Sequence, residues 1–379
     1  MKKYFIISGL ELKDNNRGTA ALGYGAFSFL KEKGFLKENY ELLSIRGTRN
    51  LFHVGKKTTT IKIQGTSYKF HEISVFSIET FLLKKFGILI PFTLLWKFYR
   101  KVAFLAAING GDGFSDIYGD DLFYYRLPET LLAMKKNIPI IQLPQTLGPF
   151  QKDRNYNLAR KILLYSTKVF VRDSKFVSEL NKMGVSYEMT KDLSAFMKPE
   201  PWNIDIKPNS IGLNVSGLCY SNSFKNLEGQ FDAYPELINS IIKFFQQKGK
   251  TIYLIPHSYN YQKAEELNDD IVACRMAYKK LQDKKNVIVV DRDLISPQVK
   301  YVISKMSFFI GARMHANFAA IYTNVPVFGT AYSYKFEGAF DANGLNGKEQ
   351  TAMINNITVA EIPSIISKIS NFYNKVNQK

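Results

Sequence analysis

Short β-branched or aromatic runs alternate with amphipathic segments along nearly the whole chain, and this rhythm is the signature of parallel α/β architecture. In the first half, strands are expected at KYFIISG, YELLSI, VAFLAAIN, IPIIQLP and KVFVRD, with helical patterns such as ALGYGAFSFLKEKG, DLFYYRLPETLLAMKK and SKFVSELNKMG between them. The second half repeats it with SIGLNVS, TIYLIPH, NVIVVD, SFFIGA and VPVFGTA, and with the helix PELINSIIKFFQQKG. The halves meet at FMKPEPWNIDIKPNS, where Pro199, Pro201 and Pro208 disfavour both helix and central strand. The pattern predicts two Rossmann-like doubly wound domains facing a cleft: an N-terminal domain over 1–198, a Pro-rich hinge over 199–209 and a C-terminal domain over 210–379. The last helical pattern, 359–374, is a candidate to pack back on the N-terminal domain. In such a fold ligands bind against the carboxyl ends of the strands, so motifs just after strands are the site candidates.

Charge adds a second constraint. Of 379 residues, 51 are Lys or Arg and 33 Asp or Glu, a formal +18, which asks for an anionic partner. Residues 1–110 carry 18 basic and 7 acidic residues, so the excess is local. It surrounds KKFGILIPFTLLWKFYRK, Lys84 to Lys101, where eleven uncharged residues lie between Lys84-Lys85 and Lys97, Arg100 and Lys101. Two readings stand: a segment lying in the interface of an anionic membrane, and a buried helix with solvated basic ends. Recognised nucleic-acid motifs are missing, and the basic residues flank an apolar stretch rather than interleave along a groove, so no nucleic-acid partner is expected. Cys219 and Cys274 are too few for a disulfide framework and lack metal-ligand spacing, which fits a reducing, cytoplasmic setting with peripheral membrane contact as a further expectation.

Several strand ends carry polar residues in unusual density. Asp14-Asn15-Asn16-Arg17-Gly18 opens a helix after the first strand and suits either an anion at the helix N-terminus or an ordinary helix start with Asn as cap. Gly110-Gly111-Asp112-Gly113 follows the third strand; its glycines let backbone approach a ligand, and Asp112 and Asp116 are candidate bases. The spacing is neither a dinucleotide nor an ATP fingerprint. Gln145, with Gln142 and Thr146, ends a strand that would normally exclude such groups, suiting a sugar or a neighbouring loop. Arg172 stands at the edge of VFVRDS, where it would grip a phosphate or carboxylate, or pair with Asp173 or another cleft acid.

The most informative stretch is FIGARMHANFAAIYTNVPVFGTAYSYKFEG, Phe309 to Gly338. Arg313 and His315 stand at the mouth of a helix after a buried strand, and Lys335 follows the next strand. Two fixed cations and one titratable group so placed suit a ligand with several negative charges. The chain has only four histidines; a helix-cap role is the alternative for His315, and Arg313 two residues away favours function. His257, in LIPHSY, is a second candidate for acceptor contact or packing, whereas His53 and His71 lie in a basic region that looks poorly structured.

Taken together and in order, these blocks resemble the polysaccharide pyruvyltransferase family: Asn15 to Gly18, GGDGFSD, QLPQTLGPF, VFVRDS, DLSAF at Asp192 to Phe196, LIPH, and above all GARMHANFAAIYTNVPVF with its trailing Lys335. The resemblance implies a GT-B-like fold and transfer of the enolpyruvyl unit of phosphoenolpyruvate to sugar hydroxyls of a cell-surface glycan precursor, leaving a pyruvate ketal. It implies donor contacts from Arg172, His315 and Lys335, with His315 as general acid and Arg313 assisting or bracing the loop. Asn16, Gly111, Asp112, Asp116, Gln145, Asp192 and His257 become acceptor-side or base candidates. Phosphoenolpyruvate would be the donor substrate, the sugar acceptor is expected to be lipid-linked, and no cofactor or metal is expected. Asp112 stands where a third glycine is more usual, and Thr19 where an acid is common. The competing expectation is a GT-B glycosyltransferase with a nucleotide-sugar donor.

Overall fold

The computed structural model describes residues 3–223, 227–333 and 335–378, the side chain of Lys335 excepted. The chain divides into two compact units. The N-terminal unit comprises Met1–Leu12 and Leu22–Met197, and the C-terminal unit Lys13–Ala21 and Lys198–Lys379.

The N-terminal unit is built on β1 (Lys3–Ser8), β2 (Tyr40–Thr48), β3 (Gly55–Ile63), β4 (Thr66–Phe76), β5 (Val102–Ala107), β6 (Ile140–Gln145), β7 (Lys168–Val171) and β8 (Glu188–Met189). They pair in the order β3-β4-β2-β1-β5-β6-β7-β8, parallel except at β3/β4. Phe5, Leu42, Leu105 and Ile140 are buried in apolar runs with helices on the sheet, as central parallel strands require. Where a poorly structured region was expected there is an antiparallel hairpin, β3–β4. Its turn is Gln64-Gly65, both at positive φ (50° and 80°), the backbone that a two-residue hairpin needs. His71 is buried there between the Glu41 carboxylate (2.7 Å) and the Thr58 hydroxyl (2.9 Å), while His53 stays in an exposed turn.

The C-terminal unit carries β9 (Ile211–Asn214), β10 (Ile252–Leu254), β11 (Val287–Val289), β12 (Phe308–Gly311), β13 (Val327–Ala331) and β14 (Thr351–Met353), all parallel in the order β11-β10-β9-β12-β13-β14. The last helix, Ile362–Asn377, sets Ile362, Ile365, Ile369, Phe372 and Tyr373 at helical spacing, and this apolar stripe is buried in the core of its own unit, where Tyr373 meets Phe245 edge-on at 5.2 Å. That packing satisfies the face that was expected to reach back to the N-terminal domain.

Two boundaries also differ from expectation. Most of the Pro-rich stretch is fixed to the C-terminal unit: Glu200 N donates to Pro297 O (3.0 Å), Lys207 N to Tyr253 Oη (3.1 Å), and Trp202, Ile204 and Ile206 pack against its core. The early segment Lys13–Ala21 belongs to the same unit. Its Arg17 is 6% exposed and donates to Leu294 O (2.6 Å), Asp14 O (2.9 Å) and Asn15 O (3.1 Å), with its guanidinium 4.3 Å over the Tyr259 ring.

Candidate active site

Polar residues gather at the carboxyl edge of each sheet, one cluster in each unit. In the N-terminal unit Arg172 follows β7. Its Nη1 donates to Asp192 (2.7 Å) and its Nε to Thr146 Oγ1 (3.0 Å), with Asp173 at 3.5 Å. Burial acts to lower the pKa of this guanidinium, but Asp192, then Asp173 and Asp112, hold it above the ordinary arginine value. Gly111, at φ 88°, lies where a Cβ would come 2.8 Å from Arg172 Nη1, so glycine is required both by the turn and by the close approach of the guanidinium.

The carboxylates near this arginine have different surroundings. Asp192 caps helix Leu193–Phe196 through Ser194 N (2.8 Å) while holding Arg172. Asp116 accepts from Gln151 N, Lys152 N and Asn155 Nδ2 at 2.9–3.2 Å and is 6% exposed, so it braces the start of helix Asp153–Tyr165. Asp112 is half-buried and accepts from Tyr118 Oη at 2.7 Å. Gln145 is buried inside the sheet edge: its Oε1 accepts from Asn109 N and Nδ2, and its Nε2 donates to Ala107 O. Of the two partners that suited this polar strand end, a sugar or a neighbouring loop, the bonds observed are of the second kind, tying the edge of β5 to β6.

The second cluster is built around a residue that sequence reasoning passed over. Asp270, fully buried, accepts from Gly217 N (2.9 Å), His257 N and Ser258 N (both 3.0 Å), Asn214 Nδ2 (3.1 Å), and Arg313 Nε and Nη2 (3.1 and 2.8 Å). Both Arg313 bonds converge on Oδ1 of Asp270 and, with Asn268 O on Arg313 Nη2 (2.9 Å), they fix the Arg313 side chain. Asn214, at the end of β9, accepts from Arg313 N (2.9 Å) and aligns the loop after β12. Arg313 precedes helix Met314–Ile321, and His315 sits in its first turn, with its ring edge-on to Phe318 at 5.5 Å.

Residues distant in sequence converge on this histidine. Gly18 lies so close that a Cβ there would come 2.7 Å from Cγ and Nδ1 of His315. Asn16 Oδ1 accepts from Gly18 N (2.9 Å), capping helix Arg17–Glu32, and Arg17 N donates to His257 O (3.0 Å). His257 is 3% exposed; burial, followed by the positive charges of His315, Arg313 and Arg17, holds it well below the ordinary histidine range. Lys335 begins helix Lys335–Asp341, four residues past β13, and its side chain lies outside the described residues. Among the described residues no three His, Cys, Asp or Glu side chains come together as a metal site.

Comparison with solved structures gives the fold. UDP-GlcNAc 2-epimerase from Methanocaldococcus jannaschii is 11% identical with a TM-score of 0.53, over 98% of this chain and 92% of that one. A putative UDP-N-acetylglucosamine 2-epimerase from Listeria monocytogenes is 10% identical with a TM-score of 0.58, over 100% and 91%. The S. aureus MnaA–UDP co-structure is 11% identical with a TM-score of 0.51, over 99% and 91%. The architecture is therefore GT-B, two α/β units each on its own sheet. No curated protein matches the chain. The family model for polysaccharide pyruvyl transferase, however, matches residues 16–334, from the Asn16 cap through the His315 loop. The chain belongs to the polysaccharide pyruvyl transferase family and is, with it, a transferase.

Proposed function

We propose that this protein transfers the enolpyruvyl group of phosphoenolpyruvate to two hydroxyls of a sugar in a cell-surface glycan precursor, closing a pyruvate ketal and releasing phosphate. The observation that carries the reading is the loop after β12, where Asp270 fixes Arg313 and Gly18 packs on His315, inside the stretch that the family model matches. A doubly anionic donor needs fixed cations, and the resemblance of VFVRDS, GARMH and the trailing Lys335 to the family's motifs is the ground on which these roles are given to Arg172, His315 and Lys335.

In this reading His315 protonates the methylene carbon of the donor. Positive charge then develops on the neighbouring carbon, and a sugar oxygen attacks it as its proton is taken up by a base. Cleavage of the carbon–oxygen bond to phosphate regenerates an oxocarbenium centre, which the second hydroxyl closes to the ketal, its proton leaving with phosphate. Asp112 is assigned as the base, because it is half-buried and reachable by a ligand, whereas Asp116 and Asp192 are buried at 6% and 3% exposure. Arg313, held by Asp270, positions the loop. The reaction as written uses no resident cofactor. The acceptor is proposed to be lipid-linked and the site of action the cytoplasmic face of a membrane; the basic, aromatic surface of the N-terminal unit supports that placement. No helix among the described residues is long and apolar enough to cross a membrane.

The test is incubation with phosphoenolpyruvate and a panel of nucleotide-linked and lipid-linked sugars. A pyruvyl addition with loss of water, and equimolar phosphate, are expected by mass and phosphate assay. His315→Gln should lower turnover by 10²-fold or more with an unchanged unfolding midpoint, in line with the loss of a general acid; Lys335→Ala should weaken use of the donor. Turnover of a nucleotide sugar with phosphoenolpyruvate untouched would replace this reading with a glycosyltransferase.

A further inference from the structure

The N-terminal unit turns large apolar side chains towards solvent along one stretch. Helix Ser77–Phe86 buries Leu83 but exposes Ile78 and Phe81 by about half (48% and 49%), and Phe86 and Ile88 follow at 58% and 51%. Gly87 ends this helix at φ 71°, and the chain then carries Phe92 out to 91% exposure. Only afterwards does helix Leu94–Tyr99 return Leu95, Phe98 and Tyr99 to the core. Leu51 and Phe52, 69% and 96% exposed, lie three and four residues past Thr48, which pairs with Phe76 at the start of the same helix. The segment 84–101, read from sequence as either interfacial or buried, is exposed in its first part and buried in its second, and the outward part is not Trp96 but its neighbours.

A surface helix ordinarily shows polar residues to water, so an outward apolar stripe calls for an occupant. The charge around it identifies the chemistry. Residues 46–101 hold eleven Lys or Arg against Glu72 and Glu79. Lys85 Nζ lies 5.4 Å from the ring centroids of both Phe81 and Phe86. Arg100 stacks 3.9 Å over Trp96, whose ring meets Phe92 at 5.5 Å. Aromatic tips flanked by cations on long stems suit the interface of an anionic bilayer, where rings enter the acyl boundary while ammonium groups stay at phosphate depth. A second copy of this chain would bring an equally basic surface against the first, and like charge opposes that pairing.

We propose that the N-terminal unit docks on anionic lipid through Phe52, Phe81, Phe86 and Phe92, with Lys84, Lys85, Lys97 and Arg100 facing the headgroups. This docking is independent of the transfer chemistry, and the experiment separates the two. The protein is floated with phosphatidylcholine vesicles with and without phosphatidylglycerol, at low and high salt. Co-flotation is expected only with the anionic vesicles and should weaken with salt. Phe52→Ser with Phe92→Ser should cut vesicle partition roughly tenfold or more, and Lys84→Gln with Lys85→Gln by a similar factor. Both variants should keep the wild-type unfolding midpoint and their turnover on a water-soluble acceptor. Equal partition of variants and wild type, or equal binding to vesicles without phosphatidylglycerol, would overturn the proposal. So would a wild-type dimer in light scattering that Phe52→Ser with Phe92→Ser dissolves, since the patch would then cover a second copy.

Discussion

Asp270 holds the C-terminal site together, and its environment sets out what its loss would do. Asp270→Asn keeps the shape but leaves Arg313, with its side chain only 13% exposed, beside a neutral amide. Breaking a buried pair in this way costs about 3–5 kcal/mol, to be read from denaturant unfolding, and turnover should fall with it as the loop loosens. Gly18→Ala is a more local probe: its Cβ would press on the His315 ring, so turnover should drop at least tenfold for a stability loss of about 1–3 kcal/mol. His257 supplies a pH test. It is held neutral in the folded state and takes up a proton below about pH 6.5 only on unfolding, so stability should fall as pH drops from about 6.5 towards its lower folded-state pKa. The slope reaches about 1.4 kcal/mol per pH unit, and unfolding of His257→Gln at about pH 5, 6 and 7.5 should show a flatter dependence. Arg313 and His315 can be picked out in the chain because they stand two positions apart at a strand end. Asp270 lies 43 residues before Arg313 and opens helix Asp270–Lys280 like any first-turn acid, so only the packed fold reveals its six donors.

At the level of elements, the central strands were readable because they are buried on both faces and spell nearly continuous apolar runs. The β3–β4 hairpin was not, since its outer strand, GKKTTTIKI, shows mostly exposed polar side chains and only Ile61 and Ile63 as a short apolar face. The signal that was present was the Gln64-Gly65 turn between two alternating runs. Helix Arg17–Glu32 has a requirement that periodicity cannot show: a Cβ on Gly25 would come 1.8 Å from the carbonyl oxygen of Leu193. Gly25→Ala should therefore force this helix and helix Leu193–Phe196 apart and lower stability by roughly 3 kcal/mol, measured by the shift in denaturation midpoint.

Across the whole molecule, both cysteines are buried, Cys219 and Cys274 alike. Burial pushes the Cys219 thiol up to about 12 and raises Cys274 well above its ordinary value. A thiol–disulfide reagent should find neither in the native protein and both in denaturant; prompt native labelling would mean that the C-terminal core opens far more readily than its packing indicates. Three prolines follow Met197, where the N-terminal unit ends, but nothing in the sequence marks the allegiance of Lys13–Ala21, because it rests on Arg17 bonds to Leu294 and to residues of its own turn. That allegiance has a bearing on how relatives can be recombined. A C-terminal unit transplanted between two family members at the obvious junction would arrive without its own Arg17 and Gly18, and the host's copy would have to fit a foreign histidine loop. Grafting the C-terminal unit between relatives therefore calls for two crossover cassettes, one of them nine residues long.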